Sequence, residues 1–184
     1  MKRLGLLILV SFFLMGCGTT ELEERSFPML VAIELEDGRV RYREAFPKED
    51  TMGNLGAKEK DYNHLKVLVF EDDMLQNQNT YESVILEMTK KEQFPRNTYV
   101  CVMDDVEDLF EMEKGLSQDL GTYLEEYIKL HEEKKDHLLT LGDLMDEQAN
   151  HVFVLYIPYL DVEDNMVIWK GYVNTSGKIG QESK

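Results

Sequence analysis

The dipeptide Asp37-Gly38 stands in the middle of MLVAIELEDGRVRYREAF, residues 29 to 46, with alternating apolar and charged residues on both sides. A two-residue type I′ turn demands positive φ at both central positions, and Asp-Gly is among the pairs that accept this most readily. Folding the chain there sets Glu36 against Arg39 and Glu34 against Arg41 on one face. On the other face Leu35 meets Val40, Ile33 meets Tyr42 and Met29 meets Phe46. A slip of one residue would exchange the two faces, so charge pairing and apolar pairing select the same register. We therefore expect an antiparallel hairpin with a wet, ion-paired face and an inner apolar face. Opposed glutamates make Arg39, Arg41 and Arg43 an ion-paired row rather than an anion site. Glu44, opposite Val31 on the inner side, marks where the strand leaves the core.

Beyond the hairpin, residues 48 to 63 are polar and glycine-bearing and read as a loop. HLKVLVF and NTYVCVM are short apolar strands. Between them Met74, Tyr81, Ile85 and Met88 recur at helical spacing, with Asp72 or Asp73 as the cap. A strand, a helix and a strand in this order predict a right-handed βαβ crossover. MDDVEDLFEMEKG is acidic and reads as a connector or a short helix. Ser117 is placed to cap the next helix, where Leu120, Tyr123, Leu124, Tyr127, Ile128 and His131 repeat every three or four residues. Thr140 with Asp143 opens another helix. HVFVLYIPYL and NMVIWKGYV are closing strands joined at 161–165. Pro158 cannot donate to a ladder, so its strand is expected at an edge or broken there. The fold class is α/β (α+β): a mixed β-sheet with an N-terminal antiparallel hairpin, a βαβ unit and helices packed on the sheet.

The first residues carry a different signal. Lys2 and Arg3 precede an uncharged run from Leu4 to Met15. At ~1.5 Å per residue a helix of that length reaches only about 18 Å, short of a ~30 Å hydrocarbon core. That suits a signal-peptide core. Leu14-Met15-Gly16-Cys17 resembles the bacterial lipobox, whose cysteine is lipidated and becomes the mature N-terminus; the competing reading is an ordinary secretory signal cut a few residues later. A diacylglyceryl group at Cys17 supplies the two chains that durable anchoring requires. Residues 1–16 are then a lipoprotein signal peptide, 17–26 a tether, 27–175 a single domain and 176–184 a C-terminal tail.

Charge excludes other attachments. The chain holds 20 Lys+Arg against 36 Asp+Glu, a net charge of −16. Phosphate backbones need a basic footprint, and anionic headgroups repel such a body, so neither nucleic acid nor peripheral electrostatic membrane binding is expected. With Cys17 lipidated, Cys101 has no disulfide partner and reads as a small buried strand residue.

Motifs that carry chemistry are few. His131 and His137 lie six apart, which on a helix leaves them on different faces and off the zinc spacing. His64 and His151 each begin an apolar strand. The carboxylates Asp104, Asp105, Glu107, Asp108, Glu111 and Glu113, like those of 161–165, do not follow a calcium-loop spacing and read as solvated surface. Neither a nucleophile elbow nor a phosphate loop occurs. Trp169, Tyr172 and Tyr159 are read as core aromatics rather than the lining of a ligand pocket. No catalytic, metal or cofactor-binding residue and no cofactor is expected.

Several stretches in a fixed order add a family. ELEERSFPMLVAIELEDGRVRY, HLKVLVFEDD, RNTYVCVMDD, YLEEYIKLHEEK, TLGDLMDEQ and IWKGYVNTSGKIG together resemble the C subunit of spore germinant receptors, the Ger(x)C lipoproteins. The resemblance covers most of the mature chain and about the N-terminal half of a typical member. It implies a lipoprotein on the extracytoplasmic face of the spore inner membrane, working with polytopic A and B type receptor subunits in germination. It implies an assembly or accessory role without enzymatic activity. A stand-alone ligand-binding lipoprotein, with an open aromatic pocket around Trp169, is the alternative. A cell-envelope hydrolase, with coupled carboxylates or a thiol–imidazole pair, is the third reading.

Overall fold

The computed structural model describes residues 25–48, 59–90, 94–131, 139–150, 155–175 and 179–180. Cys17, His137, His151 and most of the 48–63 loop lie outside the described residues. The hairpin forms as read. Strands Leu30–Glu36 (β2) and Arg39–Ala45 (β3) pair with Glu36 opposite Arg39 and Leu35 opposite Val40. Asp37 and Gly38 take φ of 51° and 73°, as a type I′ turn requires. The ladder ends at Leu30–Ala45, one pair short of the expected Met29–Phe46. There Met29 donates its N–H to the Ala45 carbonyl at 2.8 Å and accepts from Lys66 N–H at 3.0 Å.

The wet face holds only at the turn end of the hairpin, where Glu34 and Glu36 stand, and Leu30 to Ile33 of β2 are buried. β3 and β2 begin a seven-stranded sheet in which β2 is an interior strand, parallel to Val67–Glu71 (β5) on its other side. Tyr99–Met103 (β6) and Tyr156–Glu163 (β7) continue the parallel run. Met166–Asn174 (β8) and Ile179–Gly180 (β9) close it antiparallel. Interior strands bury both faces, which is why VLVF and YVCVM are continuously apolar. Val31, Ile33, Leu68, Phe70, Val100 and Val102 face one core; Leu30, Ala32, Val67, Val69, Cys101 and Met103 face the other. Only the last turnward residues of β2, from Glu34 on, reach the rim.

Helices cover each face through their apolar stripes. Asp72–Gln76 (α1), Gln78–Lys90 (α2) and Leu141–Asn150 (α5) bring Met74, Tyr81, Ile85, Met88, Leu141 and Leu144 to the first core. Val106–Glu113 (α3) and Leu120–His131 (α4) bring Leu109, Met112, Leu120, Leu124 and Ile128 to the second. Each such fully buried side chain contributes about 1.5–3 kcal/mol before the entropy of ordering it. The expected βαβ unit is therefore β5-α1-α2-β6, and its helix is broken at Asn77, whose side chain accepts from Thr80 N–H at 3.3 Å to restart it. Glu71 occupies the cap position of α1, and Asp72 and Asp73 sit in its first turn, where the helix dipole favours acids. Asp105 caps α3. Asp119 rather than Ser117 caps α4, accepting from Thr122 N–H at 2.7 Å, because the helix starts only at Leu120. Thr140 and Asp143 form the expected reciprocal cap: Thr140 N–H to the Asp143 carboxylate at 2.8 Å and Asp143 N–H to Thr140 Oγ1 at 3.4 Å.

Pro158 lies within an interior strand, not an edge. The β6 ladder starts only at Tyr159, one residue past the proline, while the upstream edge of β6 is met by Leu139 and Thr140 instead. Asp164 and Asn165, at φ 50° and 59°, make a second two-residue turn between β7 and β8. Arg25–Ser26 (β1) and Glu59–Lys60 (β4), in stretches read as tether and loop, pair in parallel.

Candidate functional site

Ligand sites of open α/β sheets lie outside the carboxyl ends of the parallel strands. Here those ends carry Glu34 and Glu36 (β2), Glu71 (β5), Asp104 and Asp105 just past β6, and Asp161 in β7. An open groove of about 380 Å³ is lined by Glu34, Leu35, Glu36, Arg41, Arg43, Glu71 and Glu107. The arginines come from β3, and Glu107 from the first turn of α3.

The charges in this groove engage one another. Arg41 lies 3.6 Å from Glu34 and also pairs with Glu36. Arg43 pairs with Glu107 and stands 3.9 Å from Glu34, its guanidinium 4.4 Å from the Phe110 ring centre. The Arg43 hydrogen bond holds the Glu107 carboxyl below the usual range. Burial pushes Glu71 up, against the pull of backbone bonds from Leu35 and Val106. Those bonds tie the ends of β2 and β5 to the start of α3. Arg41 and Arg43 are thus ion-paired as the opposing glutamates predict, with Glu36 meeting Arg41 by a diagonal step rather than Arg39 directly opposite it. Glu44, which pairs with Val31, is explained by its partners: the Tyr62 hydroxyl donates to it at 2.7 Å and Lys60 stands at 2.7 Å.

A second charged cluster adjoins the groove. A bulge in β8 leaves Lys170 unpaired in the register between Leu160–Trp169 and Tyr159–Gly171. Lys170 reaches Asp161 and, at 3.4 Å, Asp104. The Tyr159 hydroxyl donates to Asp104, and burial, then that carboxylate, raises its pKa. Asp104 is thus held by two groups more than fifty residues away, neither of them linked to it by any spacing rule. The KG step at 170–171 is the only local sign of the bulge.

Other candidates separate. Cys101 is fully buried in the middle of the sheet, and burial alone pushes its thiol up. A buried thiol with no charged partner is an inert one. His64 ends a short 3₁₀ turn and meets Phe27 edge-on at 5.1 Å. His131 stacks on Tyr127 at 4.0 Å and faces Trp169 at 6.1 Å, with Tyr172 against Trp169 at 5.3 Å. Trp169 is partly buried against the second core, while Tyr159 belongs to the first. Among the described residues no group of three His, Cys, Asp or Glu side chains is placed to hold a metal ion. No described helix is long and apolar enough to cross a membrane.

What the site does not name, comparison does. The family model for the spore germination protein N-terminal domain matches residues 50–162, more than half of the 184-residue chain. The chain belongs to this family. Comparison with curated proteins and with solved structures returned no match. The spore germination domain match runs from before β4 to Val162 in β7, so it takes in the βαβ unit and every described helix. The β2–β3 hairpin and β8 lie outside the matched range yet complete the same sheet. The family makes this a germinant-receptor C-subunit-like protein involved in spore germination, and the family is not a known enzyme family. It works with other receptor subunits in association with the spore inner membrane.

Proposed function

We propose that this protein is a lipid-anchored, non-enzymatic assembly or accessory subunit of a germinant receptor. Cys17 carries the diacylglyceryl anchor, the folded domain stands on the extracytoplasmic face of the spore inner membrane, and polytopic A and B type subunits are its partners. The observation that carries this reading is the family match over residues 50–162. The groove chemistry supports it, since carboxylates and guanidiniums there bind one another and the lone described cysteine is buried.

The test is a crosslinking pull-down from purified spore membranes, with the C-terminally tagged chain expressed from its own promoter and Cys17→Ala beside it. Recovery of polytopic receptor subunits with the wild-type chain, and their loss with Cys17→Ala, is the expected result. A protein absent from spores, or recovered there without such subunits, overturns the proposal.

A further inference from the structure

The most distinctive feature outside the charged rim is a strip of rings. Tyr123, Tyr127 and His131 recur at four-residue spacing along α4, and Trp169 and Tyr172 of β8 extend the row. The Tyr127 hydroxyl accepts from the Trp169 backbone, and His131 Nδ1 lies 2.9 Å from the Tyr127 carbonyl, so helix and strand hold the strip in register. It is not closed into the core: His131 is exposed and Trp169 and Tyr172 are half-buried.

We propose that the strip of Tyr127, His131, Trp169 and Tyr172 is a docking surface for an arginine-bearing segment of a partner protein. The proposal rests on the assembly-subunit reading above and names the surface and the partner chemistry. Ring faces attract cations within about 6 Å, tryptophan most strongly, and a planar guanidinium stacks where an ammonium cannot. The molecule uses this contact internally: Arg43 sits 4.4 Å from the Phe110 ring centre and Lys129 5.2 Å from that of Tyr99. Among the described residues neither cation over a ring lies over Trp169. Two further terms favour a cation. The helical part of the strip ends on His131 in the last turn of α4, at the negative end of its dipole, and the whole chain carries −16. A second copy has the same sign of charge, and so does an anionic bilayer, so both are repelled where a basic segment is drawn in.

Trp169 is the only tryptophan in the chain, which makes its emission a direct reporter. The full-length protein is titrated with a capped peptide carrying two arginines, with its lysine and citrulline counterparts, and with phosphatidylglycerol vesicles. The expected result is saturable quenching by the arginine peptide, at least about fivefold weaker binding of the lysine peptide and none of the citrulline peptide. His131→Ala, at an exposed position, is expected to weaken arginine binding by about fivefold with an unchanged far-ultraviolet dichroism spectrum. Equal response to lysine and arginine that His131→Ala leaves intact overturns the proposal. So does a response to vesicles alone, or an emission change driven by protein concentration alone. The membrane pull-down separates the two readings. Receptor subunits still recovered by a folded His131→Ala/Trp169→Ala chain overturn the docking surface and leave the assembly role standing. Saturable arginine binding by a wild-type chain that recovers no subunit overturns the assembly role and leaves the surface.

Discussion

Gly121 and Gly38 are two glycines with opposite reasons to be glycine. A Cβ on Gly121 would stand 2.4 Å from the Met29 carbonyl oxygen and 2.6 Å from its carbon, both backbone atoms that cannot rotate away. Met29 O is held in turn by the Lys66 N–H. At Gly38 a Cβ meets nothing within 4 Å, and only the φ of +73° is at stake. Gly121→Ala must push α4 off the entry to β2, and is expected to cost about 2–3 kcal/mol as overpacking. Gly38→Ala costs only the left-handed conformation, ~1–2 kcal/mol. Urea unfolding of both variants checks this, and a Gly121→Ala cost no larger than that of Gly38→Ala would show the contact to be soft. Neither role can be read from DLGT or DGRV in the same way. The turn announces itself because its partners are adjacent, whereas Met29 is far from Gly121 in sequence.

At the scale of elements, Glu71 is the junction of β2, β5 and α3 through its bonds from Leu35 and Val106. Its carboxyl is raised above 4.5, with burial as the largest cause. Between that ordinary value and its folded one, the native state holds a proton that the unfolded chain has already released. Stability from this group is therefore full below the unfolded pKa and lost as pH rises through the folded pKa. Glu107, lowered by Arg43, has the opposite sign: its contribution is present above the unfolded pKa and lost on acidification. Glu71→Gln is expected to remove part of the fall in stability on the neutral side of pH 4.5, without changing the acid limb. Urea midpoints followed from acid to neutral pH test it; parallel curves for variant and wild type would mean the group does not titrate with folding. Element identity was largely legible at this scale, because helix stripes and the Thr140–Asp143 cap depend on neighbours a few residues apart. Asp72, Asp73 and Ser117 stand one or two positions from the observed caps, Glu71 and Asp119, since several polar residues compete there and only packing sets where the first turn begins. Pro158 signals an edge or a break because a missing donor is visible locally; of the two the structure takes the break, the ladder to β6 beginning only at Tyr159, and the pairing of β6 with Leu139 and Thr140 upstream is not visible locally.

The whole molecule is dominated by its charge. With 36 acidic against 20 basic residues, repulsion acts across the entire surface, while the exposed pairs of the rim are few and individually weak. Salt screens both, and the longer-ranged repulsion loses more. Raising sodium chloride from about 0.02 M to about 0.5 M should therefore stabilise the protein by on the order of 1 kcal/mol, read as a rise in Tm. A fall in Tm would mean that the Arg41–Glu34 and Arg43–Glu107 network outweighs the net charge. Sequence alone determined what depends on near neighbours: the hairpin register around Asp37-Gly38, the βαβ unit, the amphipathic helices and, through their order, the family. Tertiary structure decided that β2 is buried on both faces, because its second neighbour, β5, arrives only after a long excursion of chain. It also decided that Arg43 meets Glu107, Tyr159 meets Asp104 and His131 meets Trp169. Those meetings depend on strand order, on one extra residue in the β8 bulge and on the depth at which each helix packs, and none of these leaves a periodicity to read.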